Sequence, residues 1–203
     1  MTIVSRRNVL AGAAAVAVSG AAIKGPLAQT APAPGFHRYK VGDIEITALF
    51  DGARRSKLAA SPTRSASLEQ FQDALAANGL ARDEIASVFH PLAIRTGGKL
   101  VLIDTGNGPR TLEAGTGRAL SNFIAAGFDP RQVDTIIISH FHGDHIGGLV
   151  TLDGTPAFPN AEIKVPLNEW NYWLDDVNMN KAPEGSNLRN AHNNVRRVFG
   201  AIP

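Results

Sequence analysis

Residues 134–149 read Asp-Thr-Ile-Ile-Ile-Ser-His-Phe-His-Gly-Asp-His-Ile-Gly-Gly-Leu. The first six form an apolar run with the length and β-branched content of a buried strand. Directly after it, His140, His142, Asp144 and His145 fall within six residues, and they include three of the six histidines in the chain. In extended backbone, positions two apart point the same way, so His140 and His142 can converge on one metal ion. Gly143 lets the chain turn, which brings Asp144 and His145 round toward a second ion beside the first. Gly147 and Gly148 allow a helix to begin close against the strand end. Imidazole and carboxylate donors suit zinc, and also manganese, iron or cobalt. The chain has no Cys, which removes disulfides, a thiolate nucleophile and cysteine-ligated centres among these residues. An accidental surface cluster of histidines is the bland alternative. The H-x-H-x-D-H spacing behind a buried strand argues against it, and it fits no common structural zinc spacing.

Outward from this loop, the pattern is α/β. Residues 41–50 alternate, with Ile44 and Ile46 on one face, and predict a half-buried strand ended by an Asp51-Gly52 turn. A polar loop is expected over 53–66. Ser67 and Gln70 make a capping box for a helix running to about Asn78. Segments 88–95 and 99–104 read as a hairpin across Gly97-Gly98, and the second strand is apolar enough to be covered on both faces. A helix is predicted from Thr111 to Phe128, with Leu120, Phe123 and Ile124 inward. A strand near 162–165, an aromatic helix near 167–175 and a last helix over 187–199 follow. Apolar strands separated by a helix indicate layered architecture.

The segment S-H-F-H-G-D-H-I-G-G-L (139–149) resembles the signature of the metallo-β-lactamase fold superfamily. L-I-D-T-G (102–106), about 35 residues upstream, is similar to that superfamily's first motif. GDIEITALFDG (42–52), AFPNAEI (157–163), E-W-N-Y-W-L (169–174) and N-K-A-P (180–183) resemble one branch, the exported methyl parathion hydrolase-like enzymes related to acyl-homoserine lactone lactonases. The resemblance implies an αββα sandwich, of which this chain holds the first half and connecting helices. It implies two divalent metal ions, His140 and His142 on the first and Asp144 and His145 on the second. Asp104 would orient a ligand from behind, and in some relatives the counterpart of Asp144 also handles a proton. The implied reaction is attack of a metal-bound hydroxide on a lactone, ester or phosphotriester. A β-lactamase or a nuclease of the same superfamily is the weaker alternative.

The chain departs from that pattern after His145. No G-H-x-x-G-H segment follows, no Asp follows Asp176, and the one later histidine, His192, sits beside a Leu188/Ala191/Val195/Phe199 stripe where helix packing or solvation is the plain reading. Residues 36–203 are therefore expected to be the N-terminal portion of the domain. A truncated, catalytically inactive metal-binding chain is the alternative function. Trp170, Tyr172 and Trp173 read as core at near-helical spacing or as a substrate-pocket wall, His90 as a surface or packed histidine with a pocket residue as the alternative, and the Arg54/Arg55/Lys57 run as solvated charge, while His37 gives no signal.

The start of the chain reads differently. Ser5-Arg6-Arg7-Asn8-Val9-Leu10 resembles a twin-arginine signal and precedes 15 uncharged residues (9–23), fewer than a bilayer span needs. Residues 1–28, or up to 33, are expected to be an export leader, with 29–35 a linker and the remainder periplasmic or secreted. Loss of Arg6, Arg7 and Lys24 takes the formal charge from +2 to −1, which speaks against a nucleic-acid partner. A small-molecule substrate is expected instead, with no stable membrane anchoring after cleavage. Homo-oligomerisation is left open.

Overall fold

A computed structural model of the chain describes residues 34–202; the export leader expected at residues 1–28 or 1–33 and most of the linker lie outside the described residues. Among the described residues no helix is long and apolar enough to cross a membrane.

Among the described residues eight strands form two sheets. β1 (Phe36–Val41), β2 (Ile44–Leu49), β5 (Leu92–Thr96), β6 (Lys99–Ile103), β7 (Thr135–Ile137) and β8 (Glu162–Lys164) make a six-stranded sheet in that order. Its first four strands are antiparallel, and β6, β7 and β8 run parallel. The expected hairpin turns at Gly97-Gly98, both in the left-handed region that glycine adopts without penalty. The parallel crossover from β6 to β7 carries α2 (Ala119–Ala125), as a βαβ connection requires. β3 (Gly52–Lys57) and β4 (Glu84–Phe89) pair separately as a two-stranded ribbon, and α1 (Leu68–Ala77) lies between them in the chain. The Ser67–Gln70 capping box is formed on both sides.

Cross-strand partners share a face, so the register divides the main sheet cleanly. One face carries Thr47, Ala93, Leu102 and Ile136 in a row, with Leu49 and Leu100 beside them, all buried. This face packs in one core with Phe123 of α2, Ile146 of α3 (Gly143–Ile146), and Val195 and Val198 of α6 (Asn187–Phe199). The opposite face carries Ile46, Ile94, Val101, Ile103 and Ile137, of which the first four are half-buried and Ile137 is exposed. The architecture is thus one layered α/β unit with its helices' buried residues gathered on one side of the sheet.

Five expectations are corrected. Residues 53–57 are not loop but strand β3, held by the full Gly52–Lys57 register against β4. The 88–95 segment is two strands, because His90-Pro91 breaks it and sends the halves to different sheets. The helix from 111 to 128 is a 3-10 turn, Pro109–Ala114, and then α2. Gly115 and Gly117, both at strongly positive φ, stop one before the other begins, and Ile124 points outward at 54% exposure. The deeply buried side of β2 is Thr47 and Leu49 rather than Ile44 and Ile46. β6 is covered on one face only: Leu100 and Leu102 are buried, while Val101 and Ile103 are half-buried.

Candidate metal centre

The centre is assembled where β6 and β7 end. Both strands run parallel, so their C-terminal ends emerge side by side and their following loops meet. Asp104 ends β6 with its amide donating to the Ile137 carbonyl at 2.9 Å. It is the single non-glycine residue at positive φ (57°) among the described residues. Asp tolerates that conformation better than most residues, and such positions concentrate at functional sites. The twist aims its carboxylate across the loop. Oδ1 accepts from the Ser139 amide (2.8 Å), and Oδ2 accepts from the Ser139 hydroxyl (2.8 Å) and pairs with His145 Nδ1 (2.8 Å).

Beyond Ser139 the chain reaches His142, which is extended at the N-cap position of α3, and the helix then presents Asp144 and His145. The expected turn at Gly143 is made by the start of the helix, with no positive φ there. Gly147 and Gly148 give the expected close approach, but the helix begins earlier, at Gly143, and the pair opens the 3-10 turn Gly147–Leu149 that follows it. A Cβ on Gly147 would lie 2.1 Å from the Asn107 carbonyl oxygen, and one on Gly148 2.1 Å from that of Thr105. Only glycine lets α3 seat this closely on the β6 loop, and the Thr105 amide and hydroxyl both donate to the His145 carbonyl (2.8 Å each).

The four predicted residues are neighbours in space. The His140 ring centre is 4.7 Å from that of His142 and 3.9 Å from that of His145. Asp144 Oδ2 is 3.3 Å from His145 Nε2. His145 therefore stands between two carboxylates, Asp104 on one ring nitrogen and Asp144 on the other. Its hydrogen bonds to Asp104 and then to Asp144 raise its pKa from 6.5 to about 9. Asp144 is lowered, first by its bond to His145. Burial works against ionisation of Asp104, but the bonds from His145 and Ser139 outweigh it and keep the carboxyl below its ordinary value. Burial, and then the neighbouring His145 and His142, lower His140.

Among the described residues no group of three or more His, Asp or Glu side chains is arranged so that it could hold a metal ion. His145 spends both nitrogens on carboxylates, and the assignment from sequence was two residues per ion. The donor chemistry nevertheless fits a divalent ion. Three clustered imidazoles and a carboxylate offer nitrogen and oxygen only, and the charge arrangement that favours a proton on His145 equally favours a cation there. Asp104 stands where a partner that fixes a histidine tautomer stands, behind Nδ1 with Nε2 turned toward Asp144.

Two further residues escaped sequence reading. Glu169, in α4 (Leu167–Trp173), accepts from the Phe141 amide (2.9 Å) and from Trp173 Nε1 (3.0 Å), so it clamps the middle of the histidine loop to that helix. Asp51, fully buried, accepts from the Asn107 amide and side chain and from the Ala119 amide (2.8–2.9 Å), which ties the β6 loop to the start of α2. The Asp-Gly pair had read as a turn. The aromatic trio divides: Trp173 is core and its ring lies 6.0 Å from His142, whereas Trp170 and Tyr172 are exposed. His192 is a packing residue, fully buried, with Nδ1 at 3.0 Å from the Trp173 carbonyl.

With this geometry in view, comparison with known proteins is direct. The family description "Metallo-beta-lactamase superfamily" matches residues 92–196, more than half of the chain. The chain belongs to the metallo-beta-lactamase superfamily. Among solved structures it is similar to AidC, a dizinc quorum-quenching lactonase held with an N-acyl-L-homoserine product, at 27% identity and a TM-score of 0.70 over 83% of this chain and 60% of that one. It is also similar to the hydrolase AbOPH of the beta-lactamase superfamily, at 29% identity and a TM-score of 0.71 over 82% of this chain and 57% of that one. Ribonuclease Z of Pyrococcus furiosus is 38% identical over 61 residues, 30% of this chain and 17% of that protein. The chain spans less than two thirds of the length of each.

Proposed function

We propose that this protein is a metal-dependent hydrolase of small-molecule lactones, esters or phosphotriesters, exported by the twin-arginine-type leader of residues 1–28. The observation that carries the reading is the packed cluster of His140, His142, Asp144 and His145 at the ends of two parallel strands, backed by Asp104. His140 and His142 would hold one divalent ion, and Asp144 and His145 a second, zinc in the first instance. When bound, such ions lower the pKa of a coordinated water toward about 7 and polarise the oxygen of the electrophile. Around them the protein's own residues position and hold. Asp104 fixes the His145 ring through Nδ1, Ser139 fixes Asp104, and Glu169 fixes the backbone between the two leading histidines. Asp144, facing His145 at 3.3 Å, is placed to take and return a proton. The half-open aliphatic face of the main sheet is the surface on which a second α/β layer of a sandwich would pack, with further ligands contributed from it.

A nuclease is the second reading, favoured by the ribonuclease Z likeness. That likeness covers 30% of the chain, whereas the lactonase and the hydrolase align over 82–83% of it. Hydrolysis of a panel of acyl-homoserine lactones, aryl esters and paraoxon tests the proposal. Turnover abolished both by a chelator and by His142→Ala supports it. Turnover that survives both treatments refutes it, and turnover of RNA alone moves the assignment to the second reading.

A further inference from the structure

Beside the metal cluster lies a second feature that the metal assignment leaves unexplained. A cavity of about 380 Å³ opens next to Gly143 and Asp144, and its wall carries Arg54, Arg110 and Arg197 with Asn107 and Asn194. Three guanidinium groups therefore face one space in which the only carboxylate is Asp144. Among the described residues some arginines elsewhere in the fold are ion-paired, although Arg38, Arg64, Arg95 and Arg118 are not. Arg55 pairs with Glu84, Arg131 with Asp129, Arg189 with Glu184 and Arg196 with Asp176. Among the described residues none of the three cavity arginines has an ion-pair partner. Arg197 donates to the neutral Asn194 Oδ1 at 2.8 Å. Burial, and then the charge of Arg110, lower the pKa of Arg197, as two like charges beside one cavity require.

The ribbon explains how Arg54 arrives there. Successive residues of a strand point to opposite sides, so Arg55 goes to Glu84 and Arg54 to the cavity. The two residues looked equivalent in the polar 53–66 stretch, and the structure separates them. Arg110 comes from the short turn after the β6 loop, and Arg197 from α6. Three elements distant in sequence thus deliver positive charge to one place. Uncompensated guanidiniums in a concave site recognise oxyanions, because their forked donors match two oxygens at once and a low-dielectric wall concentrates their field.

We infer that this cavity binds an oxyanionic group of the substrate, a carboxylate or a phosphate, and presents the scissile bond of the same molecule to the metal cluster next to it. The inference rests on the hydrolase reading and narrows its substrate class to molecules with an anionic arm. The cavity holds a single such group. With three cations around one concave site and a formal charge of −1 on the chain without its leader residues, a long nucleic-acid track is not built here.

The test separates the cavity from the metals. Glutarate and inorganic phosphate are titrated against the full chain by calorimetry, before and after chelation, for the wild type, Arg110→Gln, Arg197→Gln and the control Arg55→Gln. Saturable binding of one or both anions that persists after chelation, weakens at least about tenfold in either cavity variant and is retained in the control is the expected result; about tenfold corresponds to losing one charge-assisted contact. Which anion binds more tightly identifies the arm. Binding that vanishes with chelator yet is untouched in the arginine variants overturns the inference, as does no binding of either anion. Tight binding of a short RNA without either small anion also overturns it. A kinetic arm compares 4-nitrophenyl butyrate with mono-4-nitrophenyl glutarate. The charged ester is expected to show a kcat/KM at least about tenfold above the neutral one, a preference that collapses in Arg110→Gln. Should neither ester be hydrolysed, the hydrolase reading fails while the binding result still decides the cavity. Arg110 is exposed, so its substitution leaves the fold intact even if Arg197→Gln proves unstable.

Discussion

The two faces of the six-stranded sheet are made from the same residue types and behave differently. Ile136 and Ile137 are adjacent in β7. Ile136 is fully buried beside Leu102, whereas Ile137 is 41% exposed beside Ile103. Hydrophobicity therefore does not distinguish the faces; packing partners do. The buried face has α2, α3 and α6 to fill its grooves, and it continues into the loops that carry the metal cluster. The open face has a row of aliphatic side chains and no such helical cover among the described residues. What the contrast teaches is that this part of the fold is organised around one core, and that the site hangs from that core's edge.

The largest expected effect is the difference between the two isoleucines. Ile136→Ala removes a side chain with no room to collapse and should cost about 2–5 kcal/mol in chemical denaturation, while Ile137→Ala should stay within about 1 kcal/mol. Equal losses at both positions would mean the open face is covered by structure beyond that described. Next in size is Asp51→Ala, which leaves the Asn107 and Ala119 amides without their acceptor in a buried place. A loss of about 2–3 kcal/mol is expected, together with faster hydrogen exchange in the 104–108 loop. Smaller again is Glu169→Gln. It keeps the shape but weakens two charge-assisted bonds, so about 1–2 kcal/mol should disappear, with the change in exchange confined to 139–143 and α4.

Much of this was legible because the signals were local. DTIIIS followed by H-x-H-x-D-H places four donors at a strand end through nothing more than strand periodicity and a helix start. Gly147 and Gly148 announced the close seat of α3. The Ser67 capping box needed only four residues to be recognised. What failed to read depended on partners far along the chain. β3 is spelled Gly-Ala-Arg-Arg-Ser-Lys, with no apolar alternation, and is a strand only because β4 pairs with it. Leu100-Val101-Leu102 looks covered on both sides because alternation vanishes when every position is aliphatic. Asp51 and Glu169 accept from amides 56 and 28 residues away, respectively, so neither could be told from a turn residue or a helix-surface acid.

The central claim is that the end of β7 is a metal centre, and metal content tests it most directly. The protein is equilibrated with zinc, desalted, and metal per chain is measured by mass spectrometry alongside a thermal melt. The account predicts specifically bound zinc in the wild type, its loss in the His140→Ala/His142→Ala pair, and about 10–100-fold weaker binding in Asp104→Asn with the fold retained. Metal content at background in the wild type, or unchanged in the double variant, would contradict it.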